Sequence, residues 1–455
     1  MTVFKKMLPV VLFVFQWVVA ELEYADTSNR WETVPENVTD YSPGDVMKTR
    51  IAQGETPLKA AEVYDIMYRT TDSRGNAAAT YTTVYVPEEP NWDRLVLLQA
   101  DYCSSDESCA ESLLYQYSSL RYNLLARHWV LVAPVYFGLE ARYGANVFGA
   151  HAILDSVRAV KASNLSVTDN ATAVIWGSHF GSGPSAMAVE LQPDYAPDVV
   201  FSGAVLINFI PNLQKTIEFV NGKHGAAFIP PLLTGLSREY PEFNETFINA
   251  VRFNEFFNET FENCIDYNVK SFANKDVLSF WNNSRQLFNE NKISKIMTNL
   301  TCGHRPLNAP TRVYVETSKD WLVENASVDT AVQSYCKLNS SHIEYIKVLD
   351  VVSDEIEMFY ENSFRRTLHS DPWSNDPLNW IAAQFSNRKN ESNCTTRSTW
   401  YYPSNSETVG SIPSSTATSF QTSTTSQTST SHNLAGLSHT PTILATIFAS
   451  LLSLV

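Results

Sequence analysis

The chain has 455 residues, 44% hydrophobic and 12% aromatic, enough to bury a sizeable core and to exclude global disorder. It carries 33 Lys+Arg against 48 Asp+Glu, a formal charge of −15, and no basic block, which argues against nucleic acid or anionic headgroups as partners. Only 18% of the residues are charged, so uncharged groups must do part of the solvating.

Residues 1–20 read as a secretory signal peptide. Lys5 and Lys6 form a basic start, Leu8 to Val19 is an apolar run too short to span a bilayer comfortably, and cleavage is expected after Ala20. The segment 21–395 is expected to fold as one domain. Val63 to Thr71 reads as a strand, Asp72 to Asn76 as a turn and Thr80 to Val86 as the returning strand. Leu95 to Ala100 is a short apolar run typical of a buried parallel strand. A helix over 111–127, a strand from Trp129 to Val135 and a helix over 146–161 follow. Ala173 to Trp176 is another buried strand, which runs through Gly177-Ser178-His179-Phe180-Gly181 into a helix from Ser182 to about Glu190. Phe201 to Ile207, Thr311 to Glu316 and Ile343 to Leu349 are later strands. This alternation predicts an α/β fold with a mostly parallel sheet. About residues 211–300 the rhythm breaks, and the Phe-, Asn- and Pro-rich segment reads as an inserted, mostly helical cap.

Residues 396–433 are expected to form an O-glycosylated stalk, since 18 of the 29 residues from 404 to 432 are Ser or Thr and cannot build a core. The chain ends in an apolar tail, 434–455, with no charge after it. A small-residue site stands a polar spacer upstream, the layout of a GPI-attachment signal. Asn433 is the expected attachment residue, with Gly436 and Ser431 as alternatives and a plain C-terminal membrane anchor as the competing reading. Without Lys5 and Lys6 the formal charge of −15 becomes −17.

Eleven N-x-[ST] sequons, at Asn37, Asn164, Asn170, Asn244, Asn258, Asn282, Asn299, Asn325, Asn339, Asn390 and Asn393, make N-glycosylation the expectation for an exported chain. The six cysteines (Cys103, Cys109, Cys264, Cys302, Cys336 and Cys394) form an even set, suited to three disulfides in an oxidising compartment. With no C-x-x-C, and only Cys302-Gly-His304 near ligand spacing, neither a metal nor another cofactor is expected.

The most informative motif is the strand–turn–helix at Gly177. A G-x-S-x-G turn of this kind lifts a nucleophile above the sheet edge on strained backbone. Here Gly177 and Gly181 stand in place, but the middle residue is His179.

On several stretches the chain resembles the fungal secretory lipase family, the lipase A type of α/β hydrolase. They include Tyr68 to Asn76, His151 to Arg158, Leu191 to Pro197, Pro211 to Leu213, Val220 to Gly222, Gly225 to Phe228 and Gly235 to Pro241, spread over roughly residues 40–390. The resemblance implies an α/β-hydrolase fold, secreted hydrolysis of acylglycerol esters, and a cap over an acyl-binding tunnel. It places the family's nucleophile on His179, its acid on Asp320 and its histidine on Ser353, with Glu357 kept four residues on. Asp101 falls on the oxyanion-side loop, and Phe180 replaces a glycine at the other oxyanion donor. It also implies the disulfides Cys109–Cys264 and Cys336–Cys394, which leaves Cys103 and Cys302 for an extra bridge.

Acyl transfer by this route needs a hydroxyl nucleophile, an imidazole base and an orienting acid. Two of these positions are substituted. His179 reads first as a buried histidine in a remodelled pocket, and Ser353 as an inert hydroxyl. Ser178 and Ser182 are off-apex alternatives for the nucleophile, and His342 and His369 are alternatives for the base. The expectation is a GPI-anchored cell-surface glycoprotein without lipase activity, bound to the plasma membrane or wall and holding a lipid or wall ligand. The alternative is an active triacylglycerol lipase or esterase with an atypical site.

Overall fold

The computed structural model describes residues 31, 33–52, 56–100, 118–248, 265–281, 286, 288–317, 322–350, 372–386 and 394–401. The leader, Asp101, Cys103, Cys109, Cys264, Asp320, Ser353, His369, the Ser/Thr-rich segment, Asn433 and the sequons at Asn258, Asn282, Asn390 and Asn393 lie outside the described residues.

Among the described residues, ten strands form one sheet in the order β1-β2-β3-β5-β4-β6-β7-β8-β9-β10. Its first three strands, β1 (Val46–Ile51), β2 (Ala60–Thr71) and β3 (Ala77–Pro87), are antiparallel, and β3 meets β5 (Trp129–Pro134) antiparallel. From β5 onward, through β4 (Asn91–Gln99), β6 (Thr172–Ser178), β7 (Phe201–Ile207), β8 (Thr311–Glu316), β9 (Ile343–Asp350) and β10 (Cys394–Tyr401), neighbours are parallel. The β2–β3 hairpin closes where the sequence places it. Asp72 Oδ1 accepts from Arg74 N at 2.9 Å and Asn76 N at 2.7 Å, while Gly75 takes the positive φ (+90°) that the turn requires.

The parallel strands are buried on both faces, as their unbroken apolar runs require. On one face lie α1 (Ser118–Leu125) and α9 (Pro372–Phe385), which pack Leu124, Leu378 and Ile381 against Val96, Leu131 and Trp176. On the other lie α2 (Asn146–Ala162), α3 (Ser182–Tyr195) and α8 (Asn325–Lys337), with Ile153, Val157 and Val189 against Leu97, Val132 and Ile175.

Between β7 and β8 the described residues form a mostly helical insertion, referred to below as the cap. It contains α4 (Leu213–Val220), α5 (Ile229–Glu239), α6 (Ile265–Phe272) and α7 (Asn291–Asn299). Its interior is aromatic. Phe247 stacks on Phe243 at 5.1 Å and meets Phe288 and Trp281 at 5.0 and 5.9 Å.

Two edge strands depart from the sequence reading. β1 carries no clean alternation and is held by its pairing with β2. β10 lies in the segment assigned to the stalk, so the sheet reaches Tyr401 rather than ending at 395. Its Thr- and Ser-rich sequence looks like stalk, but eight residues stay in register with β9 from Cys394↔Ile343 to Tyr401↔Asp350. A disulfide from Cys336 on α8 to Cys394 fixes where that register begins, and this is one of the pairings the resemblance implies. Cys103, the proposed partner of Cys302, lies outside the described residues. Cys302 is a free thiol buried beside Glu190 and Tyr335, with Sγ 3.4 Å from Gly183 O. Burial pushes that thiol well above its usual range.

Candidate functional site

The C-terminal ends of β6, β7 and β8 lie side by side, and each contributes one group to a small polar constellation. His179 is the first residue beyond β6 and starts the turn that leads into α3. Its φ is +45°, in the left-handed region that an elbow apex occupies. The glycines around it are required by close approach. A Cβ on Gly181 would sit 2.3 Å from Gln99 O at the end of β4, and one on Gly177 would sit 2.4 Å from Ser185 Oγ. The nucleophile elbow of the fold is therefore intact, with an imidazole at its apex.

His179 is buried, and its Nε2 lies 3.2 Å from Asn208 Nδ2. Asn208 is the first residue beyond β7 and also has positive φ, +49°. Its Oδ1 accepts from the backbone N–H of Glu316 on β8 at 3.2 Å. A backbone N–H can only donate, so that bond fixes the carboxamide's orientation and turns its NH2 toward His179. Nε2 is therefore placed to accept from that amide. The elbow imidazole spends the Nε2 lone pair on a protein amide. Sequence reasoning missed Asn208. Its one signal is a polar residue just past an apolar strand beside the elbow strand.

Of the alternative residues, Ser178, Ser182 and His342 are described. Ser178 is buried, and its Oγ accepts from Trp176 Nε1 at 3.0 Å. Ser182 is fully buried, donates to His179 O and accepts from Ile210 N at 3.0 Å. Both hydroxyls hold the elbow together. His342 precedes β9, and its carbonyl bonds Thr311 N at the start of β8. That places it at the opposite edge of the sheet from His179, ~20 Å away at ~3.3 Å per strand residue.

Phe180 is buried between the elbow and the cap. Its ring packs edge-on to Tyr143 at 5.1 Å and stacks on Phe228 at 5.5 Å. The bulk expected from the glycine replacement is thus committed to a cluster that joins cap and sheet. Other bonds reinforce that junction. Glu239 on α5 accepts from Ser73 N at 2.5 Å and pairs with Arg142 at 3.3 Å, while Arg238 donates to the carbonyls of Glu140 and Ala141 at 3.0 and 3.1 Å.

Some residues of the stretches that carry the family resemblance make contacts between elements. His151 stacks on Tyr195 at 4.0 Å. Asp155 is fully buried and accepts from Thr70 Oγ1, Tyr195 OH and Arg158 Nη1 at 2.8, 2.7 and 3.0 Å, tying β2, α2 and α3 together. Burial pushes the Asp155 carboxyl up to about 6 against these bonds. Among the described residues no group of three or more His, Cys, Asp or Glu side chains is placed to hold a metal ion.

Residues 107–393 match the family model "Secretory lipase". Lipase 9 of Candida albicans is 25% identical over 409 residues, covering 82% of this chain and 86% of its own length. The trichothecene C-3 esterase of Fusarium sporotrichioides is 27% identical over 339 residues, covering 68% and 76%. Among solved structures, Candida antarctica lipase A in its closed state superposes with a TM-score of 0.65 at 21% identity, over 70% of this chain and 79% of that one. The esterase LipA of Xanthomonas oryzae gives 0.55 at 13% identity, over 73% and 98%. At these identities the two structures show a shared fold.

Proposed function

The chain belongs to the secretory lipase family, and from that premise we propose that it is a GPI-anchored cell-surface glycoprotein on the lipase fold without lipase activity. One observation carries the loss of activity. The elbow apex is His179, and its Nε2 accepts from Asn208 Nδ2 at 3.2 Å. An acyl-enzyme on this fold forms when an apex hydroxyl, deprotonated by a neighbouring imidazole, attacks the ester carbon. The apex has no hydroxyl. The Nε2 lone pair, which an imidazole would need for attack or for proton uptake, faces an amide. Ser353, where the resemblance puts the base, has no basic lone pair at neutral pH. Removing a triad member leaves catalysis several powers of ten below the intact triad.

Export rests on the leader-like residues 1–20 and on membership of a secretory family. Surface anchoring rests on the Ser/Thr-rich segment followed by an apolar end, with attachment at Asn433. In this reading the capped domain holds a lipid or wall ligand rather than turning one over.

A second reading, an active lipase or esterase with an atypical site, draws on the lipases and the esterase that align with up to 82% of the chain. One experiment separates the two. The full chain is expressed on a eukaryotic cell surface, released with phosphatidylinositol-specific phospholipase C, and assayed on short and long acyl esters beside an Asp320→Ala variant. Equal, background-level hydrolysis and no labelling by a fluorophosphonate probe are expected. Turnover well above the Asp320→Ala protein would establish the second reading, and failure of the phospholipase to release the protein would remove the anchor.

A further inference from the structure

The seven described sequons do not have the same surroundings. Asn37, Asn164, Asn170, Asn244, Asn299 and Asn339 are exposed. Asn325 is half-buried, and its side chain is already committed. It is the first residue of α8, just after the loop that leaves β8. Its Nδ2 donates to Thr317 O at 3.4 Å, while Oδ1 is shut off from solvent with no hydrogen-bond partner. Thr317 is itself tied down, with N and Oγ1 3.0 and 3.1 Å from Val348 O on β9. The third sequon residue is engaged as well. Ser327 N donates to the Glu324 carboxylate at 3.0 Å in a helix cap, and Ser327 Oγ donates to the same oxygen.

We infer that the six exposed asparagines are N-glycosylation sites and that Asn325 is not, because its carboxamide is already engaged, Nδ2 by Thr317 O and Oδ1 by enclosure. The inference rests on the export proposed above. In the transfer, the asparagine amide nitrogen forms a C–N bond to the anomeric carbon of a polyprenyl-pyrophosphate-linked oligosaccharide. The sugar–phosphate C–O bond breaks, the polyprenyl pyrophosphate leaves, and one amide proton is lost to the transferase. A glycan on Asn325 Nδ2 would have to displace Thr317 O and open the sealed space around Oδ1. A glycan on any of the other six meets solvent.

The test uses the full chain secreted from yeast, with its glycans removed by an amidase in 18O water so that each occupied Asn becomes 18O-labelled Asp. Label is expected at Asn37, Asn164, Asn170, Asn244, Asn299 and Asn339, with unlabelled Asn at 325. Asn164→Gln should lower the mass by one glycan and leave Tm unchanged, whereas Asn325→Gln should leave the mass of glycan unchanged and lower Tm. Label at Asn325 beside label at the other six would overturn the inference while leaving export intact. A chain with no label anywhere would overturn it together with the glycoprotein reading.

Discussion

The carboxamide of Asn208 and the imidazole of His179 meet at 3.2 Å across the ends of neighbouring strands, and Glu316 N–H fixes which end of the amide faces the ring. This contact requires the Nδ1–H tautomer. In 15N NMR of ring-labelled protein, His179 should show an unprotonated Nε2 and a protonated Nδ1. Asn208→Leu, which removes the donor but keeps the bulk, should release that preference. It should cost about 1–3 kcal/mol in urea unfolding, because Glu316 N–H loses its acceptor. A protonated Nε2 in the unmodified protein would contradict the orientation argued from Glu316.

The same contact bears on hydrolysis. If His179 takes no part in acyl transfer, His179→Ala leaves kcat/KM on p-nitrophenyl esters at the level of the unmodified protein. His179→Ser alone should gain little, since a hydroxyl without a base stays several powers of ten below a complete triad. A gain is expected only when His179→Ser is combined with Ser353→His. A drop in turnover on His179→Ala would show that the imidazole is catalytic.

The elbow glycines set a second, purely steric test. A methyl at position 181 would lie 2.3 Å from Gln99 O, a backbone atom that cannot turn away. Gly181→Ala should therefore cost about 1–3 kcal/mol or more of overpacking, read as a lower urea midpoint at unchanged slope. Gly75 has nothing within 4 Å of its would-be Cβ, but its φ is +90°. Gly75→Ala should thus cost only the conformational strain of the turn, about 1 kcal/mol. Equal losses at the two positions would mean that the elbow is looser than its contacts imply.

The disulfide at β10 offers a local readout. Cys336 and Cys394 are 58 residues apart, and closing a loop of that size stabilises by about 2–4 kcal/mol. Cys336→Ala/Cys394→Ala should loosen the edge strand first, exposing Arg397 to limited trypsin digestion while Arg158, tied to Asp155 and Asp198, stays protected. Arg397 keeps ion pairs to Glu344 and Asp376 at 2.6 and 3.1 Å, so the strand should fray rather than leave the sheet. Unchanged cleavage at Arg397 would mean that the ladder to β9 suffices without the bridge.

The core of this fold was legible because buried parallel strands are apolar without a break. Trp129–Pro134, Thr172–Ser178 and Phe201–Ile207 stand within two residues of where composition alone puts them. The elbow was legible too, since two glycines four apart between a strand and a helix have few other uses. The edge strands were not. β10 is polar, and its place depends on β9 and on Cys336, both far away in sequence. Asn208 escaped for a related reason. Nothing local distinguishes it from any loop asparagine until β6 and β8 stand on either side of it. The family-like stretch His151 to Arg158 joins α2 to β2 and α3, contacts that form only once those distant segments meet.

Asp155 gives the fold a pH dependence whose sign can be worked out. Burial raises its carboxyl to about 6 in the folded chain, while the unfolded chain titrates near the ordinary 3.8. Between those values the folded state binds the extra proton. Stability from this group is therefore fully present below about pH 4, falls as pH rises through 6 and is level above it. The change amounts to roughly 3 kcal/mol for a difference of about two units. Other carboxylates act in the opposite sense, among them Asp198, held low by Arg158, and Asp376, held low by Tyr314, Arg312 and Arg397. The useful quantity is consequently the difference between the unmodified protein and Asp155→Asn. An asparagine can keep its oxygen toward Arg158 while its NH2 donates to Thr70 and Tyr195, whose hydroxyls can reverse. Tyr195 OH can then donate to Thr71 Oγ1, 2.8 Å away. The variant should be more stable than the unmodified chain at pH 7 and should lose that advantage as pH drops to 4, in urea titrations at fixed ionic strength. A difference that stays constant with pH would show that Asp155 remains ionised throughout, held by Arg158 against its burial.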